Sequence, residues 1–178
     1  MPQFEKTLSS SRPFSGRLIK LRIDEVLLPN GRKTTREIVE HGGAVAVLAL
    51  RGNSILMEKQ YRHTAGKVLW EIPAGTIEKG EEPKDCAIRE LREETGYEAK
   101  KMEEIIHFYV AVGYSTEIIR IFLATGLKWH GATLEEDEQI ETKFLPIVDA
   151  LQMVKCNEIE DAKTIIGLLS LRGKSNDR

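Results

Sequence analysis

The sequence predicts an α/β domain in which a mixed sheet lies between layers of helix. Residues 44–50 form an almost continuous apolar run, which is typical of a strand buried on both faces. A predicted strand at 68–73 leads through a tight loop with glycines at 75 and 80 into a predicted helix at 83–95, and helical periodicity returns at 147–155 and 161–171. Strands interleaved with helices favour a layered α/β/α sandwich.

The first 40 residues are predicted to form an arm and a β-hairpin ahead of this core. Residues 1–12 lead into a serine-rich stretch, so we expect a loose arm there. Polar and apolar residues alternate over 18–28, Pro29-Asn30-Gly31 is a turn signal, and 34–39 returns as the second strand. The predicted division is 1–40 for the arm and hairpin and 41–178 for the main domain.

The main domain continues with short strands. Residues 54–60 pair with 44–50 as a hairpin around Arg51-Gly52-Asn53. After the helix at 83–95, further strands are predicted at 104–111, 117–124 and 142–145.

Composition limits the possible partners and locations. The chain has 178 residues, enough for one domain with a substantial core but few for two. A net charge of −2 gives no reason to expect nucleic acid or an acidic membrane as partner. The two cysteines, Cys86 and Cys156, predict no disulfide framework and are interpreted as reduced, partly buried thiols. No apolar run has the length of a signal peptide or a membrane span, so a cytoplasmic protein is predicted.

The helix at 83–95 carries a cluster of acids. Glu90, Glu93 and Glu94 are spaced so that their side chains point to one side of the helix. Like charges at this spacing repel, so the cluster needs solvent, cationic partners or a bound metal. A solvated face with ordinary salt bridges is one interpretation. The glycines at 75 and 80 favour another, because they allow backbone to approach a ligand, and carboxylate oxygens suit Mg²⁺ or Mn²⁺.

The stretch from Gly75 to Tyr97 resembles the Nudix box. The family pattern is Gly, five residues, Glu, seven residues, Arg-Glu, an apolar residue, any residue, Glu-Glu, any residue, Gly and a large apolar residue. The matching positions are Gly75, Glu81, Arg89, Glu90, Leu91, Glu93, Glu94, Gly96 and Tyr97. The resemblance implies the Nudix fold from about residue 44 onward.

The sequence around the box resembles the ADP-ribose and nucleoside diphosphate sugar pyrophosphatases, on the evidence of Glu71-Ile-Pro-Ala-Gly75, Gln60-Tyr61-Arg62 and the N-terminal hairpin. This branch implies a homodimer in which the hairpin crosses to the partner. It implies that the carbonyl of Ala74 with Glu90 and Glu94 binds Mg²⁺, and that Glu93 binds a further ion or lies just behind the metal ligands. It also implies that Glu93 and Glu94 are catalytic, and that Arg62 binds the diphosphate.

Two acidic positions outside the box are further candidates. Glu117 follows a Gly113-Tyr-Ser-Thr loop and is either a metal ligand or an edge-strand charge. Residues 134–138 form a charge run of the kind that is usually a solvated loop. The resemblance instead puts the catalytic base there, at Glu136 or at Glu138.

The predicted function is Mg²⁺-dependent hydrolysis of the pyrophosphate bond of nucleoside diphosphate sugars, including ADP-ribose, to a nucleoside monophosphate and a sugar phosphate. Val112 stands where ADP-ribose-specific relatives usually have proline, and Asp161-Ala162-Lys163 resembles a segment of the broader sugar class. The alternatives are an ADP-ribose-specific enzyme and a non-catalytic nucleotide-sugar-binding module. The residues predicted to contact the substrate are Arg62, Glu71, Gly113, Ser115, Asp161 and Lys163.

Overall fold

The computed structural model describes residues 4–132 and 139–171, which form two compact units. One unit contains the described residues up to Gly43 together with Phe108–Ile118, and the other contains Ala44–His107 and the described residues from Ile119 onward. The strands are β1 Lys6–Ser15, β2 Lys20–Leu27, β3 Lys33–Glu40, β4 Ala44–Arg51, β5 Ser54–Arg62, β6 Lys67–Glu71, β7 Ala74–Thr76, β8 Tyr97–Tyr109, β9 Ile118–Trp129 and β10 Ile140–Pro146. The helices are α1 Pro83–Thr95, α2 Ile147–Lys155 and α3 Ala162–Ser170.

The first unit is built on an antiparallel sheet in the order β1-β2-β3. The predicted hairpin is present as β2 and β3, which pair from Lys20 opposite Glu40 to Leu27 opposite Lys33. Its turn is closed by a hydrogen bond of 2.8 Å from the Leu28 N–H to the Arg32 carbonyl. Gly31 in that turn has φ +81°, a backbone conformation that residues with a side chain rarely adopt.

The prediction of a loose N-terminal arm over residues 1–12 is wrong for residues 6–12, which belong to β1 and pair with β2. Every residue of β1 is exposed, so the strand lacks the alternating burial on which sequence patterns depend. Backbone pairing and polar contacts hold it instead, including a 2.7 Å hydrogen bond from the Ser10 hydroxyl to Asp24. The domain division at residue 40, and the role of residues 1–40 in dimerisation, stay predictions.

The second unit is organised around β4, as its apolar sequence predicted. Five of the eight residues of β4 are buried. The sheet runs β10-β5-β4-β9-β8, with β6 paired to β5 and β7 paired to β4. It is mixed, because β4 is parallel to β9 and antiparallel to β5 and β7.

Helices cover both faces of β4. Val45 and Val47 pack with Leu91 of α1 in one buried cluster. Leu48 points the other way, since successive strand residues alternate between faces, and it lies against Gly167 of α3. The predicted α/β/α layering is confirmed, and it brings α1 against the sheet beside β7.

The structure also corrects several boundaries. β7 was not predicted, because three residues after a proline carry no periodic signal. β8 begins at Tyr97, immediately after α1, rather than near residue 104, and β9 extends to Trp129. Among the described residues, no helix has both the length and the apolar character needed to cross a membrane.

Candidate active site

Helix α1 presents the acidic residues of the candidate site. It begins at Pro83, whose missing N–H has no partner to lose in a first turn, and ends before Gly96. Gly96 has φ +73° and donates its N–H to the Arg92 carbonyl at 2.8 Å, which closes the last turn. Both ends therefore agree with the predicted helix.

Burial divides the three predicted acids into two groups. Glu90 and Glu94, one helical turn apart, are only 9% and 5% exposed. The side chain of Glu93 is 40% exposed. The pair Glu90 and Glu94 thus faces the protein interior, while Glu93 lies at the border of the helix surface.

The buried pair meets the backbone at the start of β7. The Ala74 N–H donates to Glu94 Oε2 at 2.9 Å. A Cβ atom on Gly75 would overlap all three atoms of the Glu90 carboxylate. Glycine is required at position 75 because the carboxylate occupies the space of a side chain.

Arg89 connects the remaining carboxylates of the box. Its guanidinium lies 2.9 Å from Glu81, 2.8 Å from Glu90 and 3.0 Å from Glu93. Hydrogen bonds from Arg89 lower the pKa of Glu81 to about 2, and the same pairing raises the pKa of Arg89. Three carboxylates share one guanidinium, which leaves a net negative charge that favours a further cation.

The donor set at β7 and α1 fits a hard divalent cation. Within residues 4–132 and 139–171, no group of three His, Cys, Asp or Glu side chains forms a ready-made metal cage. Mg²⁺ does not need one, because it commonly binds through one or two carboxylates and takes its other ligands from water and substrate phosphates. Glu90 and Glu94, beside the backbone of Ala74, supply two such carboxylates.

Cys86 lies in the same helix but is not a candidate nucleophile. Its thiol is fully buried and lies 3.4 Å from Arg89 Nη2. Burial, together with the neighbouring Glu81 carboxylate, raises the pKa of Cys86 to about 12. Cys156 is free and exposed, which corrects the prediction that both thiols are partly buried.

We expect one of the two thiols to react with a water-soluble disulfide reagent at pH 8. Cys156 is accessible, whereas Cys86 is buried and stays protonated at that pH, so its thiolate is scarce. Absorbance of the released thiol should report one equivalent per chain before unfolding and two after it. A Cys156→Ser variant that still reacts rapidly when folded would contradict this.

A second cluster lies at the start of α3 and the end of β6. Arg62 forms a bidentate ion pair with Glu71, in which Nε donates at 2.6 Å and Nη2 at 2.8 Å. The Lys163 ammonium also contacts Glu71, and it lies 3.1 Å from Asp161. The structure thus brings together four of the six predicted substrate residues.

Electrostatics link this cluster with the box. Burial by itself raises the pKa of Glu71, but hydrogen bonds from Arg62 and Lys163 outweigh it and leave the pKa lowered. The pKa of Arg62 is raised, chiefly by its hydrogen bond with Glu71, with a smaller contribution from Glu94. Arg62 is therefore within electrostatic reach of a buried acid of α1.

The other predicted substrate residues belong to the first unit. In that unit, Glu117 Oε1 lies 3.7 Å from His41 Nδ1, and the Glu117 N–H donates to the Ser115 hydroxyl at 3.1 Å. Gly113 and Ser115 line a cavity of about 330 Å³ together with Arg22 of β2 and three residues of β3. The assignment of Glu117 to metal, and of Gly113 and Ser115 to substrate, stays a prediction.

Glu136 and Glu138, the predicted catalytic bases, lie outside the described residues. Their role stays a prediction.

Thr164 was missed by the sequence reasoning. It is fully buried, donates its hydroxyl to Asp161 at 2.6 Å and accepts the Ile72 N–H at 2.9 Å. Asp161 also accepts the Thr164 N–H, as a helix cap does. The signal in the sequence was the position of this threonine three residues after a capping acid.

Comparisons with known proteins agree with the box. A family model described as "NUDIX domain" matches residues 40–166. The chain is 47% identical over 171 residues to a protein of Bacillus methanolicus named methanol dehydrogenase activator, covering 94% of this chain and 92% of the relative. It is 46% identical over 173 residues to an ADP-ribose pyrophosphatase of Bacillus subtilis (strain 168), covering 96% and 94%.

A solved structure supports the fold. The crystal structure of an ADP compounds hydrolase superimposes with a TM-score of 0.85 at 19% identity. The match covers 95% of this chain and 92% of that one.

Proposed function

This chain belongs to the Nudix family, and we propose that it hydrolyses the pyrophosphate bond of nucleoside diphosphate sugars, including ADP-ribose, with Mg²⁺. The observation that carries this proposal is the buried pair Glu90 and Glu94 against the backbone of Ala74 and Gly75. Arg89 pairs with Glu90 but is shared with Glu81 and Glu93, so a divalent cation would add favourable charge to this buried pair. The relative named ADP-ribose pyrophosphatase supports the same activity.

Glu90, Glu94 and the carbonyl of Ala74 would hold the metal, with Glu93 beside them. Bound there, Mg²⁺ would neutralise charge on the phosphate oxygens and lower the pKa of attacking water. Glu81 and Arg89 keep the carboxylates in place through the ion pairs of the box. Mn²⁺ has similar ligand preferences and is expected to substitute.

The protein's own groups bind the substrate and move the proton. Arg62 would contact the diphosphate, since a guanidinium matches the geometry of phosphate oxygens. A carboxylate, Glu136 or Glu138, would take a proton from water as its oxygen bonds to one phosphorus. The bond between that phosphorus and the bridging oxygen then breaks, which gives a nucleoside monophosphate and a sugar phosphate.

We expect ADP-ribose and at least one hexose-linked nucleotide to be cleaved with kcat/KM values within about 100-fold of each other, the spread of weak discrimination. Val112 in place of proline and Asp161-Ala162-Lys163 favour a site that recognises the diphosphate more than the sugar. Chromatography of the products from ADP-ribose, ADP-glucose, GDP-mannose, UDP-glucose and a nucleoside triphosphate measures this.

Two outcomes of the same panel would count against the proposal. Hexose-linked nucleotides slower than ADP-ribose by about 10,000-fold would restore an ADP-ribose-specific enzyme, because groups left unpaired in a polar site discriminate at that scale. Binding of ADP-ribose with no product at saturating Mg²⁺ would favour the non-catalytic module.

A second candidate function follows from one relative. The methanol dehydrogenase activator shares 47% of its aligned residues with this chain, and its name denotes an action on another enzyme. Assaying a purified methanol dehydrogenase with and without this protein and Mg²⁺ tests that function. A rate unchanged by the protein, while ADP-ribose is cleaved, would leave only the hydrolase.

We also propose a homodimer formed through the first unit. Every residue of β1 is exposed, and Phe14 and Leu18 are exposed apolar side chains of this unit. A second copy would cover them.

Cytoplasmic location stays a prediction.

Sedimentation is expected to give twice the 20.1 kDa mass of one chain. Deleting residues 1–40 should give a poorly soluble or monomeric protein with weak activity, because Tyr114 and Thr116 would lose their backbone hydrogen bonds to Val39. A soluble, fully active monomer would contradict the dimer assignment.

A further inference from the structure

The first turn of α3 is joined to the end of β6 by a chain of contacts. Lys163 contacts Glu71 and Asp161. Asp161 accepts from the Thr164 hydroxyl, which accepts in turn from the N–H of Ile72, the residue that follows Glu71. The side chain of Glu71 and its neighbouring backbone are therefore both fixed by α3.

Glu71 in turn fixes Arg62. The two groups form a bidentate pair, which sets the plane of the guanidinium as well as its distance. The fork uses the Nε–H and one N–H of Nη2, two of the five N–H groups that a guanidinium carries. Three N–H groups lie outside this pair.

Exposure separates the residue that a ligand can reach from those behind it. The side chain of Arg62 is 39% exposed, whereas Glu71 is 3% exposed and Lys163 is 11% exposed. Of these three side chains, Arg62 is the one that a diphosphate can reach most readily. Lys163, with its ammonium on Glu71 and Asp161, offers little surface to a ligand.

We propose that Lys163 and Glu71 are positioning residues, which do not themselves contact the substrate but hold the guanidinium of Arg62 in the orientation that binds the diphosphate. This rests on the proposed function and revises the prediction that Glu71, Asp161 and Lys163 bind substrate. Two cations share the buried Glu71 carboxylate. Without Lys163, Glu71 keeps only one of these two cations, Arg62. The contact from α3 that holds the Glu71 carboxylate in place is also lost.

A double-mutant cycle on kcat/KM tests whether Lys163 acts through Arg62. Lys163→Met is expected to lower kcat/KM for ADP-ribose by about 10- to 100-fold, the equivalent of one charge-assisted hydrogen bond. In the Arg62→Ala background the same change should have less than about a threefold effect, because there is no guanidinium left to orient. If the fold losses in kcat/KM of the two single variants multiply in the double variant, Lys163 acts independently of Arg62, and the proposal is overturned.

Lys67→Met is the matched control. Lys67 pairs with Glu160, an acid next to α3, at 2.6 Å. It lies opposite Arg62 in the β5–β6 register, but no described ion pair joins its ammonium to Glu71 or Arg62. The control variant also loses one lysine charge beside α3. It should keep kcat/KM within about twofold, because exposed ion pairs contribute little. Lys163→Gln, which keeps a donor for Glu71, should recover part of the lost activity.

The Nε–H signal of Arg62 in ¹⁵N NMR tests the proposal without any substrate. It should exchange slowly in the wild type and in Lys67→Met, and faster in Lys163→Met and Glu71→Gln, with thermal unfolding used to show that each variant is folded. An unchanged signal in folded Lys163→Met would overturn the proposal. If the wild type cleaves no nucleotide sugar, the proposed function fails, and this signal still decides whether Lys163 orients Arg62.

Discussion

Replacing Glu94 with glutamine is expected to lower turnover of ADP-ribose by about three orders of magnitude, because it removes a charged ligand from a metal whose contribution is several kcal/mol. The fold should persist. The glutamine carbonyl oxygen can still accept the Ala74 N–H that Glu94 accepts at 2.9 Å. Steady-state kinetics at saturating Mg²⁺ and a thermal unfolding scan measure the two effects separately.

Asp85→Asn is the matched control for Glu94→Gln. Asp85 lies on the same helix, is exposed and occupies the first turn, where its charge is worth only about 0.3–1 kcal/mol of stability. Its loss should leave turnover unchanged. A Glu94→Gln enzyme that keeps wild-type turnover would remove Glu94 from the metal site.

Replacing Gly75 with alanine is expected to lower turnover by about 100-fold or more, because a reacting group displaced by about 1 Å can cost that much. The new Cβ would overlap the Glu90 carboxylate, so either Glu90 or β7 must move. Overpacking of this kind also costs about 1–3 kcal/mol of stability.

Gly52→Ala separates activity from stability. Gly52 has φ +59° in the turn between β4 and β5, and a Cβ there meets no atom within 4 Å. It should cost roughly 1 kcal/mol of stability through backbone strain alone and leave kcat unchanged. If Gly75→Ala loses no more activity than Gly52→Ala, the close approach of Glu90 has no role in the reaction.

Local sequence signals predicted helix α1 and strand β4 well. Pro83 and Gly96 mark the ends of α1 by backbone requirements that depend on no distant residue, so the helix was predicted with correct bounds. The buried strand β4 follows equally from its own apolar run. The box pattern identified the residues that meet β7.

The remaining features depend on contacts that no local pattern encodes. Helical spacing puts Glu90, Glu93 and Glu94 on one side, but only packing against β7 decides that Glu93 is the exposed one. Glu71 and Lys163 are 92 residues apart in sequence, so their ion pair, and its connection to Arg62, could not be read from spacing.

The exposure of β1 explains why the sequence predicted a loose arm in its place. β1 is polar and exposed at every position, so no hydrophobic alternation distinguished it from a loose arm. Its register is set by backbone pairing with β2, which depends on the fold of the whole sheet.

Phosphorus NMR of ADP-ribose incubated with the wild-type protein and Mg²⁺ tests the central claim most directly. The diphosphate signals should disappear and be replaced by two monophosphate signals, one from the nucleotide and one from the sugar phosphate, and EDTA should prevent the change. Diphosphate signals that persist with the folded protein at saturating Mg²⁺ or Mn²⁺ would contradict the claim that this chain is a nucleoside diphosphate sugar hydrolase.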